Sequence, residues 1–161
     1  GYRISPEEIH GEMVGYDLDD SLKLIDKLLE QDLDFLDLPS AAGGNFGKDA
    51  YKAMPQRGDF TEPVSLVIKK FVAGRVPVVI SGTIRSADDA LDALNYGDVA
   101  SMGVAALSDP DFKEKILADK EETIHMNVKG HTEDLELPSG LIEVYTAGIG
   151  LPQVEGLIKK E

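Results

Sequence analysis

Four short apolar runs are spaced along the first two-thirds of the chain, and apolar residues recur at helical spacing between them. The runs are Tyr2-Arg3-Ile4, Asp34 to Leu38, Val76 to Ile80 and Val99 to Met102, each short enough to be a strand. Ser5-Pro6-Glu7-Glu8 predicts a helix start, because proline suits the first turn and acids suit the positive helix end. Asp19-Asp20-Ser21 predicts the cap of a further helix with Leu22, Ile25, Leu28 and Leu29 on one face. Pro39 ends the second strand. Pro63 opens a helix striped by Val64, Val67, Ile68 and Phe71, and Gly74 stops it. The third run is almost wholly apolar, the pattern of a parallel strand covered on both faces. Ser86 to Asp89 has capping-box-like spacing ahead of Ala90, Leu91 and Leu94. Asp109-Pro110-Asp111 starts a helix through Leu117, and residues 121–128 read as a short helix.

Strand and helix therefore alternate four times, which predicts an α/β fold with a parallel sheet and helical crossovers. The alternation fades after residue 118. The expected organisation is residues 1–118 as four βα units and residues 119–161 as a helix and tail packed on them. Residues 41–61, rich in glycine and proline, form one long irregular stretch of the kind that is functional or mobile in compact domains.

Composition narrows the function classes. The 161 residues are 42% hydrophobic and 29% charged, an ordinary globular balance. Thirty acidic against sixteen basic side chains leave a net charge of −14, which repels nucleic acid and anionic membrane surfaces. No apolar run approaches the ~18 residues of a membrane span. Cysteine is absent, so neither disulfides nor thiolate metal sites form, and a cytoplasmic location is expected. His10, His125 and His131 share no metal-ligand spacing, and no metal site is expected.

In parallel α/β folds, ligands gather at the C-terminal ends of the strands. There the chain places Arg3 and Ser5-Pro6, then Ser40, then Ser81-Gly82-Thr83, then Met102-Gly103-Val104. Two successive βα units with glycine at the strand end could cradle an anion on backbone N–H groups. Either glycine could equally be a turn residue, and Arg3 could equally form a structural ion pair.

"RISPEE" at residues 3–8, "VVISGTI" at 78–84 and "YGDVASMGVAALSDPDFKEKI" at 96–116 together resemble the C-terminal half of the old yellow enzyme family. These are FMN-dependent NAD(P)H oxidoreductases built on an eight-stranded β/α barrel, and the bacterial branch of NADH-dependent flavin oxidoreductases is the most similar. The resemblance runs over about residues 1 to 118 and implies that the four runs are barrel strands 5 to 8, the C-terminal half of a TIM barrel. It implies that Arg3 lies by the pyrimidine edge of FMN, favouring negative charge there as the ring is reduced. It also implies that Gly82 and Thr83 bind the FMN phosphate through backbone N–H groups, that Ser81 adds a hydroxyl or ends its strand, and that Gly103 and Val104 complete the phosphate site. NADH or NADPH would be the reductant.

Two departures qualify the resemblance. The family usually carries arginine where Val104 stands, and losing that charge-assisted bond is worth about 1.5–3 kcal/mol. The family's first four strands, with its substrate-anchoring pair and tyrosine proton donor, would precede Gly1. The expected function is thus the phosphate-binding half of a flavin oxidoreductase, inactive alone and pairing with the other half or with itself through open strand edges. The alternative is a non-enzymatic barrel fragment serving as a binding or assembly module. Another phosphate-binding barrel, such as a dihydroorotate dehydrogenase relative, would share the last two loops but not the Ser-Pro after Arg3.

Overall fold

A computed structural model of the chain describes residues 1–39, 49–147 and 154–157. They fall into two compact units, Gly1–Ile84 with Asp88–Ser101, and Arg85–Ala87 with Met102–Glu161.

The first unit is built on a parallel sheet of β1 (Tyr2–Arg3), β4 (Leu36–Leu38), β5 (Val78–Ser81) and β6 (Val99–Ser101), paired in that order. The α/β expectation holds, and within this sheet the strands are paired in the order in which the chain supplies them. Register pairs Arg3 with Asp37, Asp37 with Val79, and Val79 with Val99. Side chains alternate between faces along a strand, so these four residues share one face. Leu36, Leu38, Val78 and Ile80 point the other way and are buried. Helices α1 (Leu18–Leu28) and α2 (Val64–Val72) bury Leu18, Ile25, Val64, Ile68 and Val72, and α2 packs on both α1 and β5. β5 was expected to be covered on both faces. Instead Val79 is only half-buried, and beside it Val99 is 45% exposed.

The sequence places the α1 cap two residues late. Asp17 is the cap, its side chain accepting from the Asp20 N–H at 3.2 Å. A larger difference lies just before it. Where Ser5 to Glu8 predicted a helix, β2 (Glu8–His10) and β3 (Met13–Tyr16) form an antiparallel hairpin. The reason is period: Ile9 is buried while Glu8 and His10 are exposed, an alternation of two rather than a stripe of 3.6. Gly11, at φ 61°, makes the two-residue turn. Glu7 does not serve a helix end. It is buried, and its carboxylate accepts from the Gln56 N–H at 3.2 Å.

Short helix α3 (Ala87–Ala93) precedes β6, and Asp98 locks the strand entry. The Asp98 carboxylate accepts from the Val78 N–H at 2.9 Å and pairs with Lys69 at 3.3 Å.

The second unit holds α4 (Val104–Ser108), α5 (Phe112–Leu117) and α6 (Ser139–Thr146). Val128, Tyr145, Val154 and Leu157 form its core, with Val104, Leu107, Leu135, Leu137, Leu141 and Ile142 packed against them. The helix expected over residues 121–128 shrinks to a 3-10 turn at Glu121–Thr123. Val128 is drawn into the core instead, its N–H donating to the Glu155 carbonyl at 2.9 Å. No helix among the described residues is long and apolar enough to cross a membrane.

Asp109 ties this unit together. Its buried carboxylate pairs with the Lys115 ammonium at 2.5 Å and accepts from the His125 N–H at 2.9 Å. Burial pushes its pKa up, but the Lys115 hydrogen bond, the His125 N–H and the Lys115 charge outweigh it, and the net shift is downward. A carboxyl held below its ordinary value stabilises the fold above its unfolded pKa, and that contribution is lost as pH falls through the folded pKa. Replacing Asp109 with Asn should cost about 3 kcal/mol at neutral pH, since Lys115 loses its buried partner. The gap between the two proteins should close on acidification. Urea unfolding of both, from pH 7 down to pH 3, measures this; a constant gap would remove Asp109 ionisation from the account.

Candidate functional site

The strand ends carry most of the residues that the sequence singled out. Arg3 ends β1 on the half-open face, its side chain 67% exposed. Its Nε lies 3.7 Å from an Asp37 carboxylate oxygen on the neighbouring strand. That separation and exposure make a weak pair, worth under about 1 kcal/mol. The guanidinium has five N–H donors, and one long contact leaves it able to bind a polar group over the sheet.

Two strands away, Ser81, Gly82 and Thr83 form the turn after β5. The Ser81 hydroxyl donates to the Pro39 carbonyl, so its one proton is committed to the backbone. This favours the strand-ending role over a ligand-binding hydroxyl. The Ile84 N–H donates to the Gly82 carbonyl at 2.7 Å and tightens the turn. Thr83 is half-buried. Ser40, at the end of β4, lies outside the described residues, as do residues 41–48 of the long irregular stretch.

Gly82 has a packing reason to be glycine. A Cβ there would sit 2.6 Å from Cδ1 of Tyr51. Tyr51 is 1% exposed, so its ring has no room to retreat. The tyrosine belongs to a 3-10 turn, Ala50–Lys52, whose signal was invisible in the sequence: three residues inside an irregular stretch, with no periodicity. Its phenol donates to Asp92 of α3 at 2.8 Å. Lys52 pairs with the same carboxylate at 2.5 Å and lies 5.5 and 5.9 Å from the Tyr51 and Tyr96 ring centres. The Lys52 hydrogen bond, followed by that of Tyr51, lowers the Asp92 pKa.

Gly103 and Val104 belong to the second unit. Gly103 is exposed and precedes α4, and a Cβ on it would meet nothing within 4 Å. Val104 turns its side chain to the Val128–Tyr145–Val154–Leu157 core. Apolar packing within this unit therefore accounts for a valine at this position. Among the described residues, no group of three or more His, Cys, Asp or Glu side chains is placed to hold a metal ion.

Comparison with known proteins finds relatives among oxidoreductases. No family model matches the chain. It is 31% identical over 143 residues to a probable NADH-dependent flavin oxidoreductase of Bacillus subtilis. Over most of its own length the chain is thus similar to a protein named as an NADH-dependent flavin oxidoreductase. That match covers 88% of this chain but 36% of the relative. An uncharacterised oxidoreductase of Streptococcus pyogenes is 30% identical over 130 residues, covering 80% of this chain and 32% of the relative. The NADH:acrylate oxidoreductase of Vibrio harveyi is 30% identical over 145 residues, 89% of this chain and 14% of the relative. The chain thus spans about a third of the first two relatives and less of the third.

The two glycines should respond differently to a methyl group. Gly82→Ala should lower stability by about 1–3 kcal/mol through overpacking against Tyr51. Gly103→Ala should cost less than about 1 kcal/mol, from the weaker cap alone. Chemical denaturation of both variants gives the comparison, and equal losses would exclude Tyr51 as the constraint on Gly82.

Proposed function

We propose that this chain is the phosphate-binding half of a β/α-barrel oxidoreductase that uses FMN and a nicotinamide. The observation that carries this reading is the sheet. Its parallel strands run in sequential order, bury Leu36, Leu38, Val78 and Ile80 on one face, with α2 packed on β5, and line the other with Arg3, Asp37, Val79 and Val99. A doubly wound sheet reverses its strand order and carries helices on both faces. A barrel keeps sequential order and turns one face inward. Relatives named as NADH-dependent flavin oxidoreductases, NADH:acrylate and NADH:fumarate oxidoreductases support the same reading.

FMN, when bound, supplies the hydride-accepting ring. The residues here suit its two polar ends. Arg3, with donors to spare over the half-open face, would hold the pyrimidine edge and favour the anionic reduced ring. The Gly82 and Thr83 N–H groups would bind the phosphate. The same role for Gly103 and Val104 rests on their place in the sequence and would involve backbone alone, since the Val104 side chain is packed in its own unit. Acceptor binding and protonation fall to the remainder of the barrel. The chain alone would hold flavin weakly and not turn over NADH, and it would associate with the missing half or with a second copy.

A second reading has specific support. Tyr51 accounts for Gly82, the unit-two core accounts for Val104, and neither needs an anion. On that reading the chain is a non-enzymatic binding or assembly module.

Titration of the chain with FMN and with riboflavin, followed by flavin fluorescence, separates the two. The flavin reading expects FMN to bind at least about ten times more tightly than riboflavin, because only FMN carries the phosphate. Arg3→Ala should weaken both flavins about equally, since both share the ring. Absence of any FMN preference would leave the assembly reading in place.

A further inference from the structure

We infer that Tyr51 is a positioning residue for the turn at Gly82 and Thr83, holding it through ring contact below and a phenol tie to α3. The inference rests on the flavin-phosphate reading and concerns a residue outside the stretches that carry the family resemblance.

Three observations, all within the first unit, support it. Tyr51 is buried, and its ring edge occupies the space where a Gly82 side chain would stand. The ring thus forms a rigid floor beneath the turn. Its phenol donates to Asp92 at 2.8 Å, and Asp92 lies on the helix that this turn leads into. One side chain therefore touches both the turn after β5 and the last turn of α3. The floor is itself fixed from behind. The Tyr51 carbonyl accepts from the buried Ser65 hydroxyl of α2, and the Ala53 carbonyl accepts from the Val64 N–H at 3.0 Å. Lys52 pairs with the same Asp92 oxygen and neutralises the carboxylate. Burial, then the Asp92 hydrogen bond and charge, holds the Tyr51 phenol well above its ordinary pKa, so it remains a donor across the working pH range.

Backbone N–H groups bind phosphate well only when they already point at it, because ordering a loose turn uses up binding free energy. A brace on the turn should therefore act on phosphate affinity and leave ring affinity alone.

The test compares FMN with riboflavin binding in the wild-type chain, Tyr51→Phe, Tyr51→Leu and Asp92→Asn. Tyr51→Phe and Asp92→Asn keep the floor and lose or weaken the tie, and should each reduce the FMN-to-riboflavin preference about threefold. Tyr51→Leu removes the floor as well and should reduce it at least about tenfold. Riboflavin affinity should stay at the wild-type value throughout. A merely structural role would lower both affinities together, and that outcome overturns the inference, as does an unchanged preference in Tyr51→Leu. A wild-type chain with no preference for FMN overturns the phosphate reading itself, and this inference with it.

Discussion

Burial of Leu36, Leu38, Val78 and Ile80 on one face of the sheet is the constraint on which the first unit depends. A parallel strand shifted by one residue would turn every one of these side chains to the opposite face. The register is therefore held by apolar area, at roughly 25 cal/mol per Å² removed from water, more than by any single polar contact. Once it is fixed, Arg3, Asp37, Val79 and Val99 must share the other face. The strand ends must then deliver Ser81, Gly82 and Thr83 into the turn ahead of α3. The candidate site is a consequence of that one-sided packing.

What the sequence made legible follows the same logic. Periodic apolar patterns located α1, α2 and the four strands of the sheet, because long amphipathic stripes and short apolar runs are what core burial selects. The misses fall where period is short or tertiary contact decides. The β2–β3 hairpin was hidden because Pro6 and two acids imitate a helix start, while only Ile9 carries the alternation. Residues 121–128 failed as a helix because Val128 is claimed by a core made of residues far along the chain. Arg3 and the Ser81–Thr83 turn were singled out for their place at strand ends, and the structure puts Arg3 at the end of β1 and Ser81 at the end of β5. Tyr51 was not, since a single aromatic within an irregular stretch has no pattern to betray it.

The stretches most distinctive in sequence turn out to be rich in structural roles. Asp98 closes the entry to β6 on the Val78 N–H and Lys69. Asp109 neutralises Lys115 and holds the His125 backbone. Glu7, within the first motif, is buried against the Gln56 N–H. Buried ionic and hydrogen-bonded groups such as Asp109 are costly to change singly, so distinctive sequence can reflect structure alone. Such sequence speaks less directly about chemistry, which depends on the fewer groups left facing outward.

Val104 shows what such packing does to the routes open to a sequence. Its methyl groups rest against the core of the second unit, beside Leu107. An arginine there would bring a longer, charged side chain into contact with apolar neighbours. Val104→Arg on its own would therefore lower stability. The neighbours would have to change first, in an order set by volume and polarity, because residues in contact do not vary independently. The valine is in this sense a conditional residue: one side chain absorbed into a core, with any charged replacement dependent on several others.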